Sequence, residues 1–253
     1  MIVGIAAGLS PEQLTPWAAS ARKVWPGRIV ILTDDADPLD PLAAEYDLEL
    51  RMVPLREKGM GVCDIARTRW LHIGELLGST NKDPACVVDT RDAVFQTNPL
   101  AMVRRRILLG SEGKTHLENP WTAYWVNQLA PNDGIEDAEV LNAGAIAGPE
   151  FLLRCFAFAL FHRLPKIKCS CTFGATHMTD QTLVNVLARN GFASNVDIRK
   201  DWVFHVRAMD HGRIGATWHD DLHVLLRDDG HPFPIVHQYD LAPQLKPFLE
   251  AIR

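Results

Sequence analysis

The first hundred residues alternate between short apolar runs and longer segments whose apolar residues recur at helical spacing. The runs typical of strands are IVGIAAG, RIVILTDD, LELRMVPL and ACVVD. Between the first two, Ser10 and Gln13 have the spacing of a capping box and Pro11 stands at the first helical position. Because strands that alternate with helices favour a mostly parallel sheet covered on both faces, we expect an α/β fold with such a central sheet flanked by helices.

The rest of the chain contains further helices and strands. Residues at spacings of four, three and four predict one buried helical face that ends near Gly78: Ala66, Trp70, Ile73 and Leu77. PEFLLRCFAFALFH predicts a helix that is apolar nearly all round and therefore buried, and MTDQTLVNVLARNG predicts a helix with Thr179 as N-cap and Gly191 just past its end. The segments EVLNAGAIAG, LHVLL and FPIVHQ resemble strands. No repeat or linker divides the sequence, so we expect a single domain over residues 1–253.

Composition excludes several classes of protein. The chain of 253 residues is 47% hydrophobic and 23% charged, as in ordinary globular proteins. With 31 acidic against 26 basic residues and no dense basic block, it lacks the charge pattern of a nucleic-acid-binding protein, and the short run Arg104 to Arg106 is more typical of a solvated helix face. No leader-like N-terminus or apolar stretch of about 20 residues is present, so we expect a cytoplasmic protein without a transmembrane segment.

Cysteine and histidine spacing gives only weak signals. Five cysteines are typical of reduced thiols rather than of a disulfide framework. Cys169, Cys171 and His177 form one cluster with approximate zinc-ligand spacing. His219 and His223 have the i, i+4 spacing of a zinc peptidase helix, but HDDLH lacks the glutamate that such an enzyme needs.

Acidic residues follow two of the predicted strands. Asp34 and Asp35 close the second strand, and Asp89 and Asp92 close the fourth. Because ligands bind beyond the carboxyl ends of parallel strands, both acid clusters are expected at the same rim of the sheet. Carboxylates there can hold Mg²⁺ or Mn²⁺, ions that take further ligands from substrate phosphates. The alternative is a solvated turn with no ligand.

Four segments stand in this order along the chain: VVDTRDAVF, LNAGAIAG, TDQTLVNVL and VHQYD. Together they resemble the nucleotide-sugar-dependent glycosyltransferases of the GT-A fold, which is Rossmann-like. VVDTRDAVF resembles their DxD-type metal motif, with one more residue between the acids. LNAGAIAG resembles the segment beside the donor sugar, TDQTLVNVL their helix-opening DQ segment, and VHQYD the segment with a C-terminal metal-binding His. Family 8 usually has HxxGxxKPW where this chain has HQYDLAP, so the likeness is to a family 8-like enzyme. It implies a nucleotide-binding half at 1–100 and an acceptor- and sugar-binding half at 101–253.

The resemblance assigns roles to particular residues. Asp89, Asp92 and His237 would hold the metal, with Asp89 also able to reach the ribose; His237 alternatively packs on the surface beside Tyr239. Asn142 and Gly144 would lie along the donor sugar, unless the glycine marks a bulge or tight packing. Asp180, with Gln181 after it, would place a carboxylate near the anomeric carbon, or else is an acid favoured by the helix dipole.

The nucleoside end of such a site is expected near the N-terminus. Ala6 and Gly8 would leave room for a flat base, and Asp34 would accept a hydrogen bond from base or ribose. Arg67 and Arg69 precede the acid-bearing strand and would face phosphate, although an exposed helix face explains them equally well. Glu112 and His116 in SEGKTHLENPW either reach an acceptor sugar or belong to a surface loop.

The resemblance implies a metal-dependent, hexosyltransferase-like enzyme. It would transfer a sugar from a nucleotide diphosphate sugar to the hydroxyl of a carbohydrate or other acceptor, with Mn²⁺ or Mg²⁺ as cofactor and with retention at the anomeric carbon. Two alternatives use the same residues. One is a metal-dependent phosphohydrolase, in which the acids place a metal and an attacking water. The other is a catalytically silent sugar-binding module that keeps only the fold.

Overall fold

The computed structural model describes residues 1–55, 63–164, 179–206, 216–219, 221–241 and 246–251. The strands are β1 (Ile2–Ala6), β2 (Ile29–Thr33), β3 (Glu49–Met52), β4 (Pro84–Asp89), β5 (Ala93–Phe95), β6 (Ile107–Thr115), β7 (Glu139–Pro149), β8 (Val196–Arg199), β9 (Val203–His205), β10 (Ala216–His219), β11 (Val224–Arg227) and β12 (Ile235–His237). The α-helices are α1 (Pro11–Val24), α2 (Asp40–Tyr46), α3 (Cys63–Leu76), α4 (Pro120–Leu129), α5 (Glu150–Arg163), α6 (Thr179–Val186) and α7 (Lys246–Ala251).

A seven-stranded central sheet has the strand order β3-β2-β1-β4-β7-β6-β8. The first four strands in this order run parallel to one another, β7 is antiparallel to both β4 and β6, and β8 is parallel to β6. The sheet is therefore mixed and mostly parallel, which confirms the α/β prediction. Because β1, β2 and β4 are parallel, the acids that follow β2 and β4 lie at the same rim, as expected.

Helices cover both faces of this sheet, which explains why its strands are apolar at consecutive positions. In β2, Val30 and Leu32 face a core shared with α3, α5 and α6, whereas Ile29 and Ile31 face a core shared with α1 and α2. Trp17 of α1 is fully buried in the second core, where its ring lies edge-on to Phe95 of β5. Each such side chain contributes about 1.5–3 kcal/mol when it is fully removed from water.

The predicted helix signals of the N-terminal half are confirmed. The Ser10 hydroxyl accepts a hydrogen bond from the Gln13 amide at 3.4 Å, and the Gln13 side chain accepts one from the Ser10 amide at 3.0 Å, so α1 begins with the capping box. Ala66, Trp70, Ile73 and Leu77 are buried. Ala66, Trp70 and Ile73 form the predicted inner face of α3, and Leu77 continues it one residue past the end of the helix.

Two predicted helices of the C-terminal half differ in detail. Helix α5 is not buried all round: Phe156 and Leu160 pack on the sheet, while Cys155 is exposed, because α5 is an outer layer with one side toward solvent. Helix α6 begins at Thr179, and a π-helical turn over residues 187–191 extends it to Gly191. The apolar segment that forms α5 therefore contributes only one of its faces to the core.

A small three-stranded sheet packs beside the large one. In it, β12 lies between β5, with which it is antiparallel, and β9, with which it is parallel. Strands β10 and β11 form a separate antiparallel hairpin that corresponds in part to the predicted LHVLL strand. Arg104, Arg105 and Arg106 are exposed in the loop before β6 rather than on a helix. Within the described ranges, no helix is long and apolar enough to cross a bilayer.

Of the two predicted zinc patterns, one lies outside the described residues and the other falls on a β-hairpin. Cys169, Cys171 and His177 lie outside the described residues. His219 ends β10 and accepts a hydrogen bond from the Leu222 amide at its Nδ1, while His223 follows in the turn with a left-handed φ of 51°. The i, i+4 spacing therefore falls on a β-hairpin, where it does not place both rings on one helical face.

Candidate metal centre

The acid-rich segment 89–92 is the crossing from the large sheet to the small one. Strand β4 ends at Asp89, a tight turn follows, and β5 begins at Ala93. The Thr90 hydroxyl is buried and donates to the Ile5 carbonyl of the neighbouring strand, and the Asp92 carbonyl accepts from the Gln238 and Tyr239 amides. The turn is thus fixed by both sheets, which is unlike a freely solvated loop.

Three side chains converge at this crossing. One ligand atom each from Asp89, Asp92 and His237 lies within 4.8 Å of the others. Nε2 of His237 is 3.3 Å from Oδ1 of Asp92 and 3.8 Å from Oδ2 of Asp89. His237 is 5% exposed, so it is a buried member of this cluster rather than a surface residue.

The charges of the three groups depend on one another. Burial lowers the pKa of His237, but the hydrogen bond and charge of Asp92, with the charges of Asp89 and Glu112, outweigh it and raise that pKa above its ordinary value. Burial also acts to raise the pKa of Asp92, but the hydrogen bond and charge of His237 hold it below the usual range. The pKa of Asp89 is raised, chiefly by burial. The carboxylates of this centre are therefore only partly neutralised by the positively charged groups of the protein.

Gly144 of β7 provides the space for the imidazole of His237. A Cβ atom added to Gly144 would lie 2.6 Å from Cε1 and Nε2 of His237 and 2.9 Å from Oδ1 of Asn142. The backbone of β7 therefore approaches the histidine ring more closely than any residue with a side chain would allow. This close approach explains the small residue in the middle of the LNAGAIAG strand.

Replacing Gly144 with alanine is expected to displace His237 from the cluster. We expect the free energy of unfolding to fall by about 1–3 kcal/mol, as for other overpacked interiors, and Mn²⁺ affinity to fall with it. Urea unfolding and a Mn²⁺ titration measure the two effects. Gly191→Ala is the control, because a Cβ there would meet only Leu187 Cδ2 at an ordinary 3.4 Å; equal effects of both variants would contradict the steric explanation.

Arg69 of α3 connects the two acidic sides of the cleft. Its guanidinium donates to Oδ1 of Asp89 at 2.7 Å and, through its other terminal nitrogen, to Oδ2 of Asp180 at the start of α6. Burial lowers the pKa of Arg69, but the charges of Asp180 and Asp89 outweigh it and keep the pKa above its ordinary value. Asp180 is 3% exposed and its second oxygen accepts from the Gln181 amide. The carboxylate is thus held in a fixed position.

Glu112 of β6 lies beneath the cleft and orders two amide side chains. Its Oε1 accepts hydrogen bonds from Nδ2 of Asn142 at 2.8 Å and Nε2 of Gln181 at 3.1 Å. Oδ1 of Asn142 in turn accepts from the Gly144 amide at 2.7 Å. Burial raises the pKa of Glu112 above its ordinary value, although these hydrogen bonds act to lower it. The first part of the expected surface loop therefore belongs to strand β6, where the buried Glu112 supports the amide side chains of Asn142 and Gln181.

The cluster lines a cleft of about 440 Å³ at the carboxyl ends of β1 and β4. One part of its wall is apolar and consists of Ile5, Ala7, Leu9, Ile65 and Ala66. The other part carries the polar and small residues described above, together with Thr90, Arg91, Ala143 and Gln238. A ligand in this cleft would have an apolar end and an end that meets acidic groups, an imidazole and a buried guanidinium.

The cleft brings together eight of the candidate site residues singled out in the sequence. These are Arg69, Asp89, Asp92, Asn142, Gly144, Asp180, Gln181 and His237. They come from five separate segments, and each is a lining residue.

Four other predicted residues do not line the cleft. Ala6 is buried inside β1, and its neighbour Ala7 lines the wall instead. The Gly8 amide donates to Oδ1 of Asp34 at 3.1 Å, and Gly8 has a left-handed φ of 62°, so this pair shapes the loop after β1. The guanidinium of Arg67 stacks 4.1 Å from the ring centre of Phe161, because residues two apart on a helix point in nearly opposite directions.

His116 lies away from the cleft. It is 1% exposed, and its Nε2 lies 3.2 Å from Oδ1 of Asn185, which already accepts from the Leu141 amide. The ring nitrogen facing Asn185 therefore carries the proton. Burial, reinforced by the charge of Arg189, lowers the pKa of His116 to about 4.

This low pKa predicts acid sensitivity. An unfolded histidine has a pKa near 6.5, so the contribution of neutral His116 is fully present above that pH and is lost as the pH falls toward 4. By pH 4.5 the loss amounts to about 2–3 kcal/mol. His116→Gln, which keeps an amide donor toward Asn185, is expected to remove that part of the pH dependence in urea unfolding. The exposed His231→Gln is the control, and parallel pH profiles for parent and His116→Gln would contradict the prediction.

The residues of the cluster fit a divalent cation. Two carboxylates and one imidazole form a donor set suited to Mn²⁺, and the same oxygens suit Mg²⁺. The other ring nitrogen of His237 has a hydrogen-bonding neighbour, as is usual for metal-binding histidines. The excess of carboxylates near His237 gives a cation an electrostatic reason to bind here.

Comparison with known proteins does not extend this description. No model of a known protein family matches the sequence, and no curated protein is significantly similar to it.

Proposed function

We propose that this protein is a metal-dependent glycosyltransferase of the GT-A fold. It would transfer a sugar from a nucleotide diphosphate sugar to an acceptor hydroxyl. The observation that carries the proposal is the convergence in one cleft of four segments that are far apart in the sequence: 89–92, 142–144, 180–181 and 237–238. These are the segments that resemble GT-A enzymes, in the same order along the chain.

The architecture of the cleft is consistent with such a donor. In α/β proteins, ligands bind beyond the carboxyl ends of parallel strands, and here the cleft lies beyond β1 and β4. The apolar wall formed by Ile5, Ala7 and Ile65 would accept a nucleobase, while the acidic cluster would lie toward the diphosphate. We assign the strand-to-strand crossing at Asp89 and Asp92 to the diphosphate end.

Asp89, Asp92 and His237 would hold Mn²⁺ or Mg²⁺. Such a cation would act as a Lewis acid and stabilise the negative charge of the departing nucleotide diphosphate. Before any metal or donor binds, the cluster has two carboxylates around one imidazole. The protein thereby keeps the acidic groups close together at the cost of mutual repulsion, which a cation would relieve.

The sugar would lie against the wall formed by β7 and the start of α6. Gly144 lets a ring approach the backbone, and Gln181 is fixed by Glu112. Asn142 uses one N–H for Glu112 and one lone pair for the Gly144 amide, so it mainly supports this wall. Asp180 would accept a hydrogen bond from a donor hydroxyl and stabilise positive charge at the anomeric carbon.

The ion pair of Asp180 favours transfer with retention. Both carboxylate oxygens of Asp180 already accept a hydrogen bond, one from Arg69 and one from the Gln181 amide, so the group is fixed in place rather than free to turn toward an acceptor hydroxyl. We therefore infer that Asp180 orients the donor instead of activating the acceptor. The anomeric configuration of the product, measured by proton NMR from the coupling of its anomeric proton, checks this; an inverted product would show that a general base acts.

Calorimetry with nucleotides tests the proposed function. UDP, GDP and other nucleotide diphosphates are titrated into the protein, each with and without Mn²⁺. We expect at least one of them to bind more tightly with Mn²⁺, because a cation at the cluster would attract the negatively charged diphosphate. If none of these nucleotides binds more tightly with the metal, the glycosyltransferase proposal is wrong.

Two further measurements separate the transferase from its alternatives. A phosphohydrolase would release phosphate steadily from simple phosphate esters without an acceptor, whereas the transferase would hydrolyse its donor slowly at most. The ordered amide wall around Glu112 favours the transferase, because phosphate ester hydrolysis has no need of it. For a silent sugar-binding module, Asp180→Ala would leave every cellular glycan unchanged; loss of a glycan would exclude that alternative.

A further inference from the structure

Two buried histidines contact each other behind the candidate metal centre. His237 of β12 and His205 of β9 are register partners in adjacent parallel strands, so both side chains leave the small sheet on the same face. Their Nδ1 atoms are 3.1 Å apart, and their rings are nearly perpendicular with centroids 5.3 Å apart. His205 is fully buried. It therefore contacts the ring of His237 on the side opposite to the cleft.

Two glycines of the large sheet make room for this histidine pair. A Cβ atom added to Gly144 of β7 would lie 2.6 Å from the ring of His237, and one added to Gly110 of β6 would lie 2.9 Å from Nε2 of His205. Strands β6 and β7 are neighbours in the large sheet. Each imidazole is thus enclosed between the small sheet and the backbone at one glycine, which restricts rotation of either ring.

The short contact between the two Nδ1 atoms, together with a metal at Nε2 of His237, would determine which ring carries the hydrogen between them. A hydrogen bond of this kind needs one nitrogen that carries hydrogen and one that does not. Nε2 of His237 points toward Asp92 and Asp89, where a metal would require its lone pair. The hydrogen between the rings then belongs to His237, and Nδ1 of His205 is the acceptor.

We propose that His205 is a positioning residue that holds His237 as the Nδ1–H tautomer and so presents its Nε2 lone pair to the metal. The inference rests on the metal site of the proposed function and adds the residue that orients its histidine ligand. Burial, together with the charge of His237, lowers the pKa of His205, which is consistent with a neutral acceptor. A neutral partner also adds no negative charge to a cluster that already has the carboxylates of Asp89 and Asp92, with Glu112 nearby.

Substitutions at His205 test the proposal with Mn²⁺ alone as the probe. His205→Phe keeps a ring of similar size but removes the acceptor, whereas His205→Asn keeps an oxygen near the position of Nδ1. Free Mn²⁺ is counted by electron paramagnetic resonance during titration of the purified proteins. We expect the dissociation constant to rise about 10–100-fold in His205→Phe, as for other losses of a group that orients a metal ligand, and most of the affinity to return in His205→Asn.

A control variant and a second measurement separate this role from a merely structural one. His116→Gln changes another buried histidine that does not contact the cluster and is expected to bind Mn²⁺ like the parent. In the parent saturated with diamagnetic Mg²⁺, nitrogen NMR of the histidine side chains is expected to show hydrogen on Nδ1 of His237 and none on its Nε2. This second measurement does not require any variant to fold.

The outcomes are distinct. Parent-like Mn²⁺ affinity in a folded His205→Phe, or absence of hydrogen on Nδ1 of His237 in the Mg²⁺-bound parent, would overturn the role of His205 and leave the metal site intact. A parent protein that binds no Mn²⁺ would instead overturn the metal site, and with it both the proposed function and this inference. Weakened binding in His205→Phe, its recovery in His205→Asn and the Nδ1–H tautomer in the parent together would establish the proposal.

Discussion

Replacing Arg69 with methionine is expected to lower the free energy of unfolding by about 3–5 kcal/mol, which is the usual cost of breaking a buried ion pair from one side. The guanidinium is the group that joins Asp89 to Asp180, and its side chain is only 13% exposed. Without it, the buried carboxylate of Asp180 and the half-buried carboxylate of Asp89 lose their common positive partner. Urea unfolding monitored by tryptophan fluorescence measures the change.

Two controls separate charge from loss of side-chain packing. Arg67→Met removes an arginine from the same helix whose contact is with the Phe161 ring, so we expect a loss of at most about 1 kcal/mol. The double variant Arg69→Met, Asp180→Asn also removes one of the two negative charges that lost their positive partner, and it is expected to recover part of the lost stability. If Arg69→Met is no less stable than Arg67→Met, the guanidinium does not bind the two carboxylates together.

Replacing Asp92 with asparagine is expected to abolish the stabilisation of the protein by nucleotide and Mn²⁺ together. At a ligand concentration of 100 times its dissociation constant, the parent gains about 2.7 kcal/mol, and the variant is expected to gain almost none. The metal-free variant should lose less than about 1 kcal/mol, because the asparagine oxygen can still accept from Nε2 of His237 and repulsion toward Asp89 is relieved. Thermal shift with and without ligands measures both effects.

Asp201→Asn is the matched control for this substitution. Asp201 has similar exposure and pairs with Arg199 and Arg227, away from the cleft. Its replacement is expected to leave the response to nucleotide and Mn²⁺ intact. If Asp92→Asn melts earlier than the parent without ligands yet still responds fully to nucleotide and Mn²⁺, Asp92 is a structural turn residue and does not bind the metal.

Local sequence signals were sufficient to predict the helix and the strands that position the acidic residues. Ser10, Pro11 and Gln13 define the start of α1 through contacts within one helical turn. The apolar run before Asp89 identifies β4 because a strand covered on both faces leaves no room for polar residues. With the parallel arrangement of the strands, these signals were enough to predict that acids collect at one rim.

Residues whose roles depend on distant partners could not be assigned in this way. Glu112 follows an apolar run in β6, but only its contacts with Asn142 and Gln181 show that it lies beneath the cleft. Arg67 and Arg69 are both arginines of α3, and helical rotation alone decides that Arg69 faces the acids. A count of 100° per residue from the buried face of α3 would have separated these two arginines.

The small sheet has a consequence for the order of folding. Its strand pairs join residues far apart in the chain, as in the pairing of Val236 with Val94, and such pairs close late because the chain entropy of a long loop must first be overcome. We therefore expect His237 to reach Asp89 and Asp92 after the large sheet has formed. A cation that needs all three groups would then slow unfolding without accelerating folding, because it binds after the transition state.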